Sequence, residues 1–166
     1  MREEHDFLGA KMIPDEAYYG VQTMRALENF QITGTHLDPD FIKAMATVKK
    51  ASCLTNMKTG RMDPKIGQAI QQAADEIIEG QFLDQFPLDP GTSINMNMNE
   101  VLCNRALEIL GYPRGRYDII SPNNHANMAQ STNDVFPTSI KVCLLKKAQI
   151  LNEALIDMAV AFEEKG

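Results

Sequence analysis

Long apolar runs are missing from this chain. No stretch approaches the ~18 consecutive apolar residues that a membrane helix needs. Met1-Arg2-Glu3-Glu4-His5-Asp6 has none of the apolar character of a secretory leader. Basic charge is also scarce: 16 Lys and Arg against 22 Asp and Glu leave a net charge of −6 and a pI near 5.0. That balance argues against a nucleic-acid binder, whose surface carries a basic face. Any anionic ligand must then be held by local dipoles and a few donors. Cysteine is sparse and odd in number: Cys53, Cys103 and Cys143 are widely spaced in helical patterns, which predicts buried reduced thiols and no disulfide framework. His5, His36 and His125 lack metal-ligand spacing. The expectation is a cytoplasmic protein with no metal, no cofactor, and neither nucleic acid nor membrane as partner.

What is present is mostly helix. With 44% hydrophobic and 23% charged residues, the 166-residue chain suits one ordinary soluble domain, or one and part of another. Asp38-Pro39 sets a capping carboxylate before a proline at the first helical position, and Gly60 ends that segment. Asp63-Pro64 does the same for a helix carrying Ile66, Ile70, Ala73 and Ile77 on one face and closed by Gly80. A third helix starts near Thr92 or Ser93 and runs to Leu110, with Gly111 as its stop and Pro113 beyond. The first forty residues are mixed. Phe7-Leu8-Gly9 and Met12-Ile13-Pro14 read as short extended pieces around a turn, too weak for a sheet, and Thr23 is placed to cap a short helix through Ala26, Leu27 and Phe30. A polar loop rich in Gly, Pro and Asn joins Gly111 to Ser131.

From Asp134 to Lys165 the pattern is one long helix. Leu144, Ala148, Leu151, Leu155, Met158 and Phe162 recur at steps of four and three, the stripe of a helix that packs on others. Some 32 residues at 1.5 Å each give a rod of about 48 Å, longer than a compact domain of this size needs. The preceding residues cover only part of such a stripe, which predicts either truncation or obligate oligomerisation.

Two polar loops feed helices: Gly91-Thr92-Ser93 before Asn95-Met96-Asn97-Met98-Asn99, and Gln130-Ser131-Thr132-Asn133-Asp134 before the rod. A helix start carries unsatisfied N–H groups and partial positive charge, so it seats an anion. Two converging starts would bind a carboxylate without arginine. Such a neutral donor cage suits proton removal next to a carboxylate, where charge grows on a group already anionic. Taken singly, each motif is better explained by helix capping, with Ser131-x-x-Asp134 as a capping-box variant and Thr92 as an N-cap. Three asparagines within five residues point to hydrogen-bonded packing, since asparagine is a poor helix former. A Ser131/His125/Asp134 nucleophile triad has no spacing to support it and no Gly-x-Ser-x-Gly elbow.

Four blocks stand in one order along the chain. They are Tyr18-Tyr19-Gly20-Val21-Gln22-Thr23 with Arg25 and Glu28-Asn29-Phe30; Asp84-Gln85-Phe86-Pro87; Gly91-Thr92-Ser93 with Asn95-Met96-Asn97 and Asn99-Glu100-Val101; and Gln130 to Asp134 with Phe136-Pro137-Thr138. Together they resemble the aspartase/fumarase superfamily, and Tyr18-Tyr19 is closest to its aspartase branch. Fumarases tend to have Tyr-Trp there and a histidine at the place of Ser121, whereas this chain has no tryptophan.

The resemblance implies a mainly α fold: an N-terminal helical lyase domain over 1–133, then the first long helix of a central bundle over 134–166. It implies reversible anti elimination of ammonia from L-aspartate to fumarate by a homotetramer, with Thr92, Ser131 and Thr132 holding the substrate carboxylate and Asn133 orienting the other end. Arg25 is a weaker candidate for the α-carboxylate. The family's general base, a serine on a mobile Gly-Ser-Ser loop, comes from a later part of the chain, so no catalytic residue is expected here and the chain alone should be inactive. Relatives also carry a longer glycine-rich stretch where Leu88-Asp89-Pro90 stands. The alternatives are a fumarate hydratase using the same cage and a non-catalytic helical oligomerisation module.

Overall fold

A computed structural model describes residues 1–30, 34–87 and 92–166, with the side chain of Thr92 outside that set. It is mainly α, as the sequence predicts. A hairpin of β1 (Arg2–Asp6) and β2 (Gly9–Ile13) leads into α1 (Val21–Asn29), α2 (Pro39–Lys58), α3 (Pro64–Ile78), α4 (Thr92–Ile109) and α5 (Thr132–Lys165). The proline-led starts behave as the local code requires. The Asp38 carboxylate accepts from the Asp40 and Phe41 N–H groups at 2.9 and 3.3 Å. Asp63 accepts from Lys65 and Ile66 at 2.8 and 3.2 Å. Both satisfy donors that the first helical turn leaves free. Gly60 and Gly111, just past α2 and α4, take the left-handed conformation, with φ of 71° and 80°.

Helix α4 is the centre of the molecule. Ile94, Met98, Val101, Leu102, Cys103, Ala106 and Leu107 are buried, and so are Asn95, Asn97, Asn99, Glu100 and Asn104. A helix covered on every side must find a partner for each polar group it carries. Asn104 donates to the Tyr18 carbonyl and the Tyr117 hydroxyl at 2.8 and 2.9 Å and accepts from Gly115 N–H at 2.8 Å. Arg105 bonds Glu76 of α3 at 2.9 Å through Nη2, and Glu108 takes the Tyr18 hydroxyl at 2.7 Å. Ile70, Ala73, Ala74 and Ile77 of α3 complete the core, with Ile66 packed at its margin.

Two expectations change at the N-terminus. Thr23 does not cap α1; it lies buried inside the helix, and its hydroxyl donates to Glu100 at 2.6 Å. Capping comes from tertiary structure. Glu100 accepts from the N–H groups of Gly20, Gln22 and Thr23 at 2.9, 2.9 and 3.1 Å, and Glu4 accepts from Val21 N–H at 3.0 Å. Burial pushes the Glu100 carboxyl up, while the Thr23 hydroxyl and the backbone donors act to lower it. A sheet does form, though not from the expected pieces: Phe7-Leu8 are the turn of an antiparallel hairpin that pairs Arg2 with Ile13 and Asp6 with Gly9, so the first strand lies before Phe7. Its strands lack alternating apolar residues. The hairpin is docked instead by Arg2, which bonds Glu4 at 2.8 Å and the carbonyls of Pro14, Ala17 and Tyr19 at 2.9, 2.7 and 2.8 Å.

Gly20 sits where these carboxylates meet α1. A Cβ there would fall 2.3 Å from the Tyr117 hydroxyl, 2.6 Å from Glu4 and 2.9 Å from Glu100. Glu100→Gln turns an all-acceptor group toward N–H donors and should cost about 1–3 kcal/mol in urea unfolding. Gly20→Ala should destabilise similarly, because the atoms it meets are held by hydrogen bonds. An unchanged midpoint in either variant would contradict the clamp.

Candidate active site

The first turns of α4 and α5 converge on one cavity of about 300 Å³, lined by Gln22, Ser93, Asn95, Met96, Asn123, Asn127 and Thr132. No lining residue is charged. The walls come from α1, α4, α5 and one π-turn at Pro122–Ala126. Two helix N-termini and a set of hydroxyl and amide groups face the same space, the arrangement that stabilises an anion through fixed dipoles.

The predicted residues divide. Thr132 lines the cavity, and its Oγ1 accepts from Asn95 Nδ2 at 2.9 Å. Ser131 is exposed as the N-cap of α5, accepting from Asn133 N–H at 3.2 Å, which is its capping role. Asn133 is exposed in the same turn. Thr92 opens α4, and its side chain, like Leu88-Asp89-Pro90, lies outside the described residues. Arg25 is engaged elsewhere: its guanidinium bonds Asp6 at 2.9 and 2.8 Å, beside a neighbouring cavity of about 230 Å³ that Ser93 also lines. Of the three clustered asparagines, Asn97 donates to the Gln85 carbonyl at 3.1 Å. The Oδ1 atoms of Asn95, Asn97 and Asn99 are buried without a partner among the described residues.

Several residues escaped the sequence reading. Asn127 Oδ1 accepts from Asn95 Nδ2 at 3.1 Å and from Lys49 Nζ at 2.9 Å. Lys49, on α2, is 1% exposed, and burial pulls its ammonium down to about 7. Its only signal in sequence is a lysine on the buried face of a helix, which periodicity alone would count as solvated. Gln22 and Asn123 also reach the cavity without belonging to either polar loop.

His125 takes no part in a triad. Its Nδ1 accepts from Ser121 N–H at 2.9 Å, and Ser131 Oγ accepts from Asn133 N–H, not from the imidazole.

This helical fold, with an uncharged cage at converging helix starts, is that of a lyase. A family profile described as lyase matches residues 9–166, and the chain belongs to that family. The sequence is 52% identical to an aspartate ammonia-lyase of a Bacillus species and 54% identical to the aspartate ammonia-lyase of Bacillus subtilis (strain 168), over 99% of this chain in each case. It spans 36% of the length of each of those relatives. Among solved structures, a protein titled fumarate lyase:delta crystallin from Brucella melitensis superposes with a TM-score of 0.96 at 45% identity, covering 100% of this chain and 39% of that one. A class II fumarase from Schistosoma mansoni gives 0.80 at 38% identity, over 86% and 31%. The aspartase/fumarase resemblance drawn from the four blocks therefore holds.

Burial holds the His125 imidazole below its ordinary 6.5. A base whose folded pKa is depressed supports the fold fully above the unfolded value, and that support is lost as pH falls through it. Stability in urea should therefore fall as the pH drops below about 6.5. His125→Gln, which keeps an acceptor for Ser121 N–H, should flatten that slope; an unaltered slope would remove His125 from the acid response.

Proposed function

We propose that this chain forms one wall of the dicarboxylate site of an aspartate ammonia-lyase, which interconverts L-aspartate with fumarate and ammonia. One observation carries the reading: Ser93, Asn95 and Thr132 meet at two helix starts in a single uncharged cavity. In this reaction a base takes the Cβ proton beside the β-carboxylate. The electron pair moves onto that carboxylate as an aci-carboxylate, then returns to form the double bond as the C–N bond breaks and ammonia leaves. The charge that grows is on the carboxylate, so neutral preorganised donors aimed at it lower the barrier. Thr132, with Thr92 and Ser131 from the same two loops, is assigned to that carboxylate, and Asn133 to the substrate's far end.

The base is assigned to sequence outside this chain. The same reading divides the chain into a lyase domain over 1–133 and the start of a bundle over 134–166. On α5 only Val135, Ser139 and Cys143 are buried, while Leu144, Leu151, Leu155, Met158 and Phe162 are 58, 60, 48, 52 and 72% exposed. A stripe this bare fits a helix covered by other helices of a homotetramer. Among the described residues no helix is long and apolar enough to cross a membrane, in keeping with a cytoplasmic enzyme.

The 166-residue chain alone should give no aspartate-dependent fumarate by ultraviolet absorbance, and the enzyme carrying this segment with the base-bearing sequence should. Activity in the chain alone would place the base within it. Inactivity of the longer enzyme toward aspartate, with hydration of fumarate instead, would favour the fumarase reading. In the active enzyme Thr132→Val should lower kcat by ~10²–10³, the loss typical of one oxyanion donor.

A further inference from the structure

Lys49 is among the largest fully buried side chains, and no carboxylate among the described residues pairs with it. A buried ammonium without a counter-ion is costly, so its retention calls for a role. Among the described residues its one hydrogen bond runs toward the cavity. Below about pH 7 Lys49 is an ammonium, with donors and no acceptor, and Asn127 turns Oδ1 toward it, at 2.9 Å. The Asn127 amide nitrogen then points the other way and donates to the Gln130 carbonyl at 3.2 Å. The remaining capacity of Oδ1 can take only a donor, which fixes the Asn95 amide with its nitrogen inward, at 3.1 Å. The other N–H of Asn95 goes to Thr132 Oγ1 at 2.9 Å. Thr132 thus enters the network as an acceptor, and its one hydroxyl proton is left for the cavity it lines.

We propose that Lys49 is a positioning residue: by donating to Asn127 it sets the direction of the Asn127–Asn95–Thr132 relay, so that Thr132 meets a bound carboxylate as a donor. Without it the Asn127 orientation is held only by the 3.2 Å bond to the Gln130 carbonyl, so the two amides reverse more readily and the Thr132 proton can turn inward to an amide oxygen. This role rests on the dicarboxylate reading of the cavity. Lys49 touches no substrate; it acts through two asparagines. Its charge contributes to holding an anion that the neutral lining binds only by dipoles.

The test uses the enzyme carrying this segment together with the base-bearing sequence, nitrogen-15 labelled at asparagine, with succinate as an unreactive dicarboxylate. In the ligand-free enzyme both Asn95 side-chain amide protons should be shifted downfield and slow to exchange, because both are bonded. Lys49→Met should move them upfield and weaken succinate binding about tenfold, while raising the melting temperature, since it removes an unpaired buried charge. Asn127→Leu cuts the same link from the other side and should reproduce the Asn95 shift and the binding loss if Lys49→Met does not fold. Asn95 signals unmoved in the variants would overturn the relay whatever succinate does. Signals that move with succinate affinity unchanged would overturn the positioning role. A fall in melting temperature with Lys49→Met would make the lysine a structural strut and overturn the proposal too. If the unaltered enzyme ignores succinate while the Asn95 signals respond as expected, the dicarboxylate reading of the cavity fails and the positioning role is overturned with it, although the relay stands.

Discussion

Everything in this fold depends on a polar helix having been buried. Helix α4 carries Asn95, Asn97, Asn99, Glu100 and Asn104 into the interior, and burial there favours a specific partner for each polar group, found for Glu100, Asn104 and the amide nitrogens of Asn95 and Asn97. That requirement reaches outward. Glu100 fixes the start of α1, Asn104 fixes Tyr18 and the loop at Gly115, and Asn95 ties the start of α5 to Asn127. An apolar helix in the same place would hold its neighbours by packing alone, which tolerates sliding. Hydrogen bonds between buried groups do not, and they place two helix starts on one cavity.

The same economy shows in the divided character of the molecule. Apolar packing of α2, α3 and α4 makes the core, with Phe86, Met98, Leu102 and Leu107 fully buried. On the other side of α4 lies a polar cluster whose members hold one another and end at a cavity with uncharged walls. In the proposed function the cavity takes an anion without arginine and so draws on dipoles, which act only when they are fixed. The rigidity that α4 imposes is therefore part of the cavity's chemistry.

Much of this was legible in the residues. Asp38-Pro39 and Asp63-Pro64 announced their helices because a cap and its donors lie within three residues of each other, and Gly60, Gly80 and Gly111 marked the ends by the same local logic. Thr132 was readable as a cavity residue from its place at a helix start. Where sequence reading failed, the controlling partner was remote. Glu100 lies 80 residues from Gly20, so nothing near Thr23 could reveal that α1 is capped from elsewhere. The hairpin is held by Arg2 and Glu4 and not by an alternating apolar pattern. Lys49 and Asn127, 78 residues apart, have no motif at all. Ser131 marks the opposite limit: its position at the helix start is plain in sequence, yet the structure uses its side chain as a cap.

Helix α5 begins as a wall of the cavity and continues for 34 residues, about 51 Å at 1.5 Å per residue. Only its first turns are gripped by this chain, through Val135, Ser139 and Cys143 and through Lys147 against Asp38 and Asp40. It is a lever with its fulcrum beside Thr132. A tilt of 5° displaces the far end by about 4 Å over that length, and conversely whatever clasps the far end aims the near one. In the proposed assembly the accuracy with which Thr132 is pointed is borrowed in part from contacts tens of ångströms away.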